Sequence, residues 1–305
     1  MKTSLDCLPC FVRQALEAAR FVSDDPALHE QLARELLRSL AELDFAQSPP
    51  LVAQQLHRRL RALSGNPDPY RSAKDHANAL ALAALPALRA AVQDSAQPLL
   101  TATRLAVAAN AIDMGIANAL TDETLRAALQ SAPEDEGTGQ VPNRQEALLG
   151  DTEDYVEAVA RAESILFLAD NAGELVVDRL LVEQLGPARV VLATRGRPVL
   201  NDVTREDAIT AGFAGLRELI DNGSDAPGTV LEDCSAVFRQ RFAEAPLIIA
   251  KGQGNFETLS EVTLGAQQQL FFAFKVECPV IAKDVGLPLG SFALVRAKAA
   301  AQSRH

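Results

Sequence analysis

The first 130 residues carry an apolar pattern with the period of an α-helix. Apolar residues recur three and four positions apart, as in C-F-V-R-Q-A-L-E-A-A-R-F-V near the start of the chain, and this spacing puts them on one helix face. Helix-breaking residues interrupt the pattern at Ser48-Pro49-Pro50, at 65–69 and at Gln97-Pro98. The pattern therefore predicts an all-helical first part.

A polar stretch at 131–151 separates this part from a segment of different texture. The stretch reads S-A-P-E-D-E-G-T-G-Q-V-P-N-R-Q-E-A-L-L-G-D and is rich in Gly and Pro, a composition typical of a domain boundary or a surface loop. We therefore expect an N-terminal helical domain at 1–150 and a second domain at 151–305.

Short apolar runs alternate with amphipathic segments in this second domain. The runs predict strands at 165–169, 189–193, 217–220, 246–250, 269–274 and 279–282. Helices are predicted at 152–162, 174–185, 205–211 and 230–243. Strands that alternate with helices form a mostly parallel sheet with helices on both faces. The second domain is therefore predicted to be α/β, with a doubly wound, mostly parallel sheet.

Charge and composition exclude several classes of partner. The net charge is −11, whereas sequence-independent binding to nucleic acid needs clustered Lys and Arg. No segment approaches the roughly 18 uninterrupted apolar residues of a membrane span, and the N-terminal stretch M-K-T-S-L-D-C-L-P-C has no apolar signal core. Four cysteines in 305 residues do not indicate a disulfide scaffold. We therefore expect a cytoplasmic protein with no nucleic-acid or membrane partner.

The distribution of histidine limits the kind of metal site. The four histidines are His29, His57, His76 and His305, so none lies between residues 77 and 304. A metal site in the second domain must therefore use mainly oxygen ligands, and such ligands favour Mg²⁺ or Mn²⁺ over zinc.

Polar side chains follow four of the predicted strands at their carboxyl ends, which is where open parallel sheets bind ligands. They are Asp170 and Asn171 after the first strand, Arg195, Asn201 and Asp202 after the second, Asp221 and Asn222 after the third, and Lys251 and Gly252 after the fourth. Each group taken alone fits a turn or a helix cap. Four groups on one sheet edge favour a binding site, although Asp221-Asn222-Gly223 is equally compatible with a tight turn.

The residue types at this edge suit phosphate chemistry. Two carboxylates and an amide give a divalent cation an incomplete oxygen shell, with positions left for water and substrate. A cation so held polarises a phosphoryl oxygen and lowers the pKa of bound water. Lys251 begins the stretch K-G-Q-G-N-F-E, whose ammonium and backbone N–H groups suit a phosphate. The stretch is neither G-x-G-x-x-G nor a P-loop, which disfavours a nicotinamide or nucleoside-triphosphate enzyme.

The strand-end residues belong to longer motifs that occur in a fixed order. In the second domain these are D-N-A-G-E, R-G-R-P-V-L-N-D-V-T, I-D-N-G-S-D-A-P-G-T-V-L and K-G-Q-G-N-F-E-T-L. In the helical part they are D-C-L-P-C-F-V-R-Q, D-P-Y-R-S-A-K-D-H-A-N and A-A-N-A-I-D-M-G. Over nearly the whole chain this set resembles the damage-control phosphatase family, first catalogued as domain of unknown function 89. The Cys-x-x-Cys start is similar to the prokaryotic branch of that family.

The resemblance implies a metal-dependent phosphatase that acts on small phosphorylated metabolites, with a helical part packed on a Rossmann-like α/β part. It implies that Asp170, Asn171 and Asp202 are the metal ligands and that Lys251 contacts the substrate phosphate. Asp170 and Lys251 are the candidate catalytic residues, with either direct attack by water or a phospho-enzyme at Asp170. Candidate substrate-binding residues are Asn110, Asp113, Arg195, Asn201, Lys251 and Gly252. The expected cofactor is Mn²⁺ or Mg²⁺, with Co²⁺ and Ni²⁺ as alternatives.

Two other classes of function stay open beside this one. Carboxyl methylation or another group transfer from a nucleotide-like cofactor would require binding of an adenosyl group and no metal. A sensor of phosphorylated metabolites would bind its ligand without turning it over. Cys7 and Cys10 form one Cys-x-x-Cys pair, whereas a structural zinc site normally needs two pairs. We favour buried structural thiols over redox chemistry or metal binding for this pair.

Overall fold

The computed structural model describes residues 1–111 and 147–298. The first of these ranges contains five α-helices: α1 Cys7–Val22, α2 Pro26–Ala41, α3 Pro49–Ser64, α4 Arg71–Gln93 and α5 Pro98–Ala108. The helices α3 and α5 begin at the predicted breakers, because a proline at the first helical position lacks only an N–H that has no intrahelical partner. Gly65 ends α3 in the left-handed conformation, at a φ of 66°. The predicted helical character of this range is confirmed.

The second range supplies the seven strands of one sheet. They are β1 Leu148–Gly150, β2 Ile165–Leu168, β3 Val190–Thr194, β4 Glu218–Asp221, β5 Leu247–Lys251, β6 Gln269–Lys275 and β7 Phe292–Arg296. Their order across the sheet is β1-β7-β6-β5-β2-β3-β4, and all neighbouring strands are parallel except the antiparallel pair β6 and β7. The strand order reverses at β2, which lies between β3 and β5. Ligands bind at such a reversal in open α/β sheets.

Six helices accompany these strands. They are α6 Thr152–Arg161, α7 Glu174–Leu185, α8 Arg205–Ala211, α9 Ala236–Glu244, α10 Gln253–Leu259 and α11 Pro279–Val285. The predicted strand at 279–282 is wrong, because this segment lies inside α11. Its first residue, Pro279, suits a helix start, and a short apolar run does not distinguish a strand from a buried helix. The strands β1 and β7 were not predicted.

The sheet has one apolar core on each face, so the doubly wound prediction is confirmed. Alternate side chains of β2 enter different cores: Ile165 and Phe167 on one face, Leu166 and Leu168 on the other. The first core also contains buried residues of α4, α5, α6, α7 and α8, whereas the second contains those of α9, α10 and α11. The helices α4 and α5 therefore share a core with the sheet, and the division of the chain at residue 150 stays a prediction.

The helices α1, α2 and α3 pack on one another around two smaller apolar clusters. Polar contacts join α3 to the loop that follows β4. Arg58 donates to Asp225 at 2.6 Å, Gln54 donates to the same carboxylate at 2.8 Å, and Arg61 forms a further ion pair with it. In the described parts of the chain, no helix is long and apolar enough to cross a membrane.

Candidate active site

The loop between β2 and α7 carries Asp170 and Asn171. Asp170 is 7% exposed, and its carboxylate accepts a hydrogen bond from the Asn171 amide at 3.0 Å. The N-cap residue of α7 is Gly173, whose φ is 76° and which has no side chain to cap the helix. Neither Asp170 nor Asn171 therefore acts as the helix cap that its sequence position allows.

The loop between β3 and α8 brings Asp202 to the same place. The backbone of this loop pairs with that of the first loop, because Ala172 donates to the Asn201 carbonyl and Val203 donates to the Asp170 carbonyl, both at 2.8 Å. Asn171 and Asp202 form an antiparallel bridge between them. The three predicted metal ligands are thus brought together by short-range backbone contacts between two loops, and the side chain of Asp202 is buried.

Arg195 connects the two carboxylates. Its Nε donates to Oδ2 of Asp202 at 2.6 Å, and its Nη2 donates to Oδ1 of Asp170 at 3.4 Å. A third contact, 3.4 Å long, joins Nη1 to the side-chain oxygen of Asn255. The Arg195 side chain is 1% exposed, so its guanidinium lies inside the site and not at its rim.

Gly252 packs directly against Asp170. Its φ is +79°, and a Cβ at this position would lie 1.8 Å from Oδ2 of Asp170. Only glycine therefore fits here. Its backbone N–H donates to the Ala273 carbonyl at 3.1 Å. Gly252 thus shapes the space around the Asp170 carboxylate, whereas its predicted contact with substrate stays a prediction.

Lys251 is completely buried beneath the site. Its ammonium donates to Oδ1 of Asp178 at 2.8 Å and to the Ala106 carbonyl at 3.0 Å, and it forms a shorter ion pair with Glu174. Three acceptors match the three hydrogens of an ammonium group. In the described structure, the Lys251 Nζ contacts only these protein groups and points toward the protein interior. The contact of Lys251 with a phosphate therefore stays a prediction.

Burial dominates the electrostatics of these groups. It raises the pKa of Asp170 well above the usual range, and the neighbouring carboxylates of Glu174 and Asp202 raise that pKa further, while Arg195 opposes both effects. Burial also raises the pKa of Glu174 to about 7, against the attraction of Lys251. Four buried carboxyl groups, those of Asp170, Glu174, Asp178 and Asp202, thus lie beside two cationic side chains. Additional positive charge would stabilise the ionised carboxylates.

The donor set fits a hard divalent cation. Asp170, Asn171 and Asp202 offer two carboxylates and one amide, and oxygen ligands of this kind bind Mg²⁺ and Mn²⁺. Among the described residues, no cluster of three or more His, Cys, Asp or Glu side chains has the geometry of a metal site. A cation at Asp170 and Asp202 would therefore depend on the Asn171 oxygen and on non-protein ligands for the rest of its shell.

The other predicted site residues have different surroundings. Asp221 accepts from the Gly223 N–H at 3.0 Å, and Asn222 accepts from the Gly196 N–H at 3.1 Å. The Asp221 contact is local to this segment, whereas the Asn222 contact joins it to the loop after β3. Both the turn and the site interpretations of this motif therefore stay predictions. Asn110 lies in a 3-10 turn at the end of α5, and Asp113 lies outside the described residues.

Comparison with known proteins identifies the family. Residues 3–291 match the family model described as the Damage-control phosphatase ARMT1-like domain. The chain belongs to this family. A damage-control phosphatase of Archaeoglobus fulgidus is 31% identical to this chain over 297 residues, which cover 95% of this chain and 97% of that protein. A protein of Methanocaldococcus jannaschii described as uncharacterized is 30% identical over 303 residues, with 97% and 96% coverage.

A solved structure agrees with this family membership. The crystal structure of a DUF89 family protein from Pyrococcus horikoshii matches this chain with a TM-score of 0.80 and 27% sequence identity, over 98% of this chain and 100% of that chain. The resemblance stated from the sequence motifs is therefore confirmed at the level of family and fold. Damage-control phosphatase relatives at about 30% identity support a phosphatase-type role.

Several buried polar residues around the candidate site were not predicted. They are Lys74 and Asn78 on α4, Glu174 and Asp178 on α7, and Asn255 on α10. Two signals were available in the sequence. Glu174 and Asp178 are four residues apart and so share a helix face, and Lys74 and Asn78 belong to the motif D-P-Y-R-S-A-K-D-H-A-N. The pairing of Asn255 with Arg195 had no local signal.

The Cys-x-x-Cys pair lies at the start of α1. Cys7 is buried, with its Sγ 3.6 Å from the Ser4 hydroxyl, and Cys10 is partly buried beside Arg13. Both thiols are free. Their assignment as structural residues, and that of the chain to the prokaryotic branch, stay predictions.

Proposed function

We propose that this chain is a metal-dependent phosphatase that hydrolyses small phosphorylated metabolites. One observation carries the proposal beyond family membership: two backbone-paired loops bring Asp170, Asn171 and Asp202 together at the point where the strand order reverses. Each of these residues is polar, and the two carboxylates are buried. A turn that served only to connect a strand and a helix would not require three oxygen-bearing side chains at one point.

Asp170, Asn171 and Asp202 would hold the cation, with Mn²⁺ or Mg²⁺ as the expected ion and Co²⁺ or Ni²⁺ as alternatives. When bound, such an ion supplies Lewis acidity to a phosphoryl oxygen and lowers the pKa of bound water. Gly252 leaves room for the Asp170 carboxylate on the side where any larger residue would collide with it. The backbone hydrogen bonds between the two loops hold Asp170, Asn171 and Asp202 next to one another.

Arg195 is the cationic group of the site that lies beside the metal-ligating carboxylates. In this proposal its guanidinium orients Asp202 through the 2.6 Å contact from Nε, and its other nitrogens donate to phosphate oxygens as well as to protein. A planar guanidinium suits this role because it presents several N–H donors at fixed angles. The predicted substrate contacts of Asn201, Asn110 and Asp113 also belong to this proposal.

In this proposal Lys251 still contacts the substrate phosphate, but only after a change in its hydrogen bonds. Its ammonium has to release one of its three protein acceptors before it can donate to a phosphate. The raised pKa of the Glu174 carboxyl favours such an exchange, since a protonated Glu174 holds the ammonium less strongly than a carboxylate does. Stabilisation of the developing phosphoryl charge by one such donor is worth about 3 kcal/mol.

A metal and substrate screen tests the proposal. The chelated protein is assayed against sugar, nucleotide and cofactor phosphates with Mn²⁺, Mg²⁺, Co²⁺ or Ni²⁺, and metal binding is measured by calorimetry. We expect release of phosphate that depends on added metal and is lost in Asp202→Asn. Ligand binding without turnover for any metal would establish a sensor instead. Binding of an adenosyl cofactor with no metal requirement would establish group transfer.

A further inference from the structure

A buried lysine of α4 is linked, through Asp207 of α8, to the end of the loop that carries Asp202. Lys74 has no exposed surface, and its ammonium donates to Oδ2 of Asp207 at 3.2 Å and pairs with Asp68 at 3.0 Å. Asp207 in turn accepts from the backbone N–H and the hydroxyl of Thr204, at 2.8 and 2.9 Å. Thr204 lies two residues beyond Asp202, so α4 holds the end of the Asp202 loop.

The same helix contacts the loop that carries Asp170 through a buried amide. The Asn78 side chain accepts a hydrogen bond of 2.7 Å from the Gly173 N–H, and Asn78 is 2% exposed. The amide orientation is fixed, because only its oxygen can accept from an N–H donor. Gly173 lies two residues beyond Asn171, so α4 also holds the end of this loop.

Lys74 and Asn78 are four residues apart on one helix, which places them on the same face. One helix thus contacts the first loop directly at Gly173 and reaches the end of the second loop through Asp207 of α8. The two loops also contact each other directly, through the backbone hydrogen bonds from Ala172 to Asn201 and from Val203 to Asp170. The helix α4 therefore adds a second connection between them. The motif D-P-Y-R-S-A-K-D-H-A-N contains both residues.

We infer that Lys74 and Asn78 are positioning residues of the metal site, which fix the separation between Asp202 and the Asp170-Asn171 pair. This inference rests on the proposed function. Overall stability alone does not explain the contacts, because a buried ion pair such as Lys74 with Asp207 is often replaceable by apolar residues without loss of stability. Groups that orient metal ligands from behind typically change metal affinity about 10- to 100-fold when they are removed.

Four variants separate positioning from stability. Asn78→Ala removes the contact to one loop, and Lys74→Met removes the contact to the other. Lys74→Met with Asp207→Asn removes the same contact and the buried Asp207 charge, and leaves only Asp68, whose side chain is 17% exposed, without its lysine partner. This variant should therefore regain part of the lost stability. Thr103→Ala is the matched control, because Thr103 is fully buried on α5 and its hydroxyl bonds to Leu99 and Tyr155 and to neither loop.

Two measurements are made on each full-length variant. Hydrogen exchange of 170–176 and 201–207, followed by mass spectrometry without metal, reports the loops directly. Calorimetric titration with Mn²⁺ measures the metal affinity of the site. We expect faster exchange of 170–176 in Asn78→Ala and of 201–207 in both Lys74 variants. Mn²⁺ affinity should fall about tenfold in all three, including the variant with partly restored stability, and should stay parental in Thr103→Ala.

The outcomes distinguish this inference from the proposed function. A parent that binds Mn²⁺, together with Asn78 and Lys74 variants that bind it equally well, would overturn the positioning role and leave the metal site standing. A loss of affinity in Thr103→Ala as large as in Asn78→Ala would also overturn it, since the effect would then follow general stability. A parent that binds none of the divalent ions would overturn both.

Discussion

Two buried clusters of this protein contain the same kinds of charge but differ in how completely the protein surrounds them. In the site cluster, Arg195 lies between Asp170 and Asp202. In the inner cluster, the Lys251 ammonium lies between Glu174 and Asp178. Each therefore combines one cation with two carboxylates. The first lies on two loops beyond the strand ends, whereas the second lies between β5 and α7.

The difference lies in the match between the cation and its acceptors. The Lys251 ammonium has three hydrogens and three protein acceptors, and Glu174 and Asp178 project from consecutive turns of one helix. The Arg195 guanidinium makes one short contact with Asp202 and a longer one with Asp170, and an amide lies beside them. The Lys251 ammonium is thus saturated by protein acceptors, although Glu174 and Asp178 each keep one buried oxygen without a hydrogen-bond partner among the described residues. In our proposal it is the site cluster that binds a further cation.

Loss of the inner cation should have the largest effect on stability. Lys251→Met leaves two buried carboxylates without their partner, so the free energy of unfolding should fall by about 3–5 kcal/mol. Adding Glu174→Gln and Asp178→Asn should restore most of the lost free energy of unfolding, because no unpaired charge then remains. Urea denaturation measures the free energy of unfolding of the single and the triple variant. If the restored triple variant also kept parental turnover, Lys251 would have no role at the substrate phosphate.

Loss of a carboxylate from the site cluster should weaken metal binding more than it lowers stability. Asp202→Asn removes one of two formal charges, so Mn²⁺ affinity should fall by more than about a hundredfold, beyond the usual cost of losing a supporting residue. The control is Asp221→Asn, an exposed acid at the end of the neighbouring strand β4, which should bind Mn²⁺ as the parent does. Calorimetry measures both variants. Equal Mn²⁺ affinities would contradict the proposal that the site cluster binds the cation.

The glycine behind the site offers a steric test. In Gly252→Ala the new Cβ would collide with the Asp170 carboxylate, so we expect a loss of about 1–3 kcal/mol in stability and weaker binding of Mn²⁺. Gly286→Ala is the matched control, because Gly286 has a similar φ of +70° and open space around its Cβ position. Thermal melts and metal titration of both variants check the prediction. A parental Mn²⁺ affinity in Gly252→Ala would show that Asp170 does not need this space.

The smallest expected effect is a pH dependence of the inner cluster. Burial raises the pKa of Glu174 to about 7, whereas the pKa of a Glu carboxyl in an unfolded chain is about 4.3. The folded state therefore binds the Glu174 proton more tightly than the unfolded state does. The free energy of unfolding should therefore decrease as the pH rises from about 4.3 to about 7. In Glu174→Gln the decrease should be smaller by about 1 kcal/mol or less for each pH unit. Urea denaturation at pH 5 and pH 8 compares the two proteins, and identical decreases would exclude Glu174 as the titrating group.

Local sequence signals predicted most of the secondary structure. The helix over Glu174–Leu185 was predicted at its observed bounds, because a strand of apolar residues, a glycine turn and an amphipathic run follow one another directly. The helix at Pro279–Val285 and the strand at Phe292–Arg296 were assigned wrongly or missed. The strand β7 runs antiparallel to β6, and alternation of strands and helices does not predict an antiparallel edge.

The sequence by itself determined which residues stand at the strand ends, and hence that Asp170, Asn171 and Asp202 share one edge of the sheet. That inference needs only the direction of parallel strands. The contacts of Lys251 were decided by the tertiary structure, because its acceptors Glu174 and Asp178 lie 77 and 73 positions away in the chain. The same holds for Asn78 and Gly173, which are 95 positions apart. Backbone propensity acts between near neighbours, whereas the partner of a buried charge depends on which elements the completed core brings together.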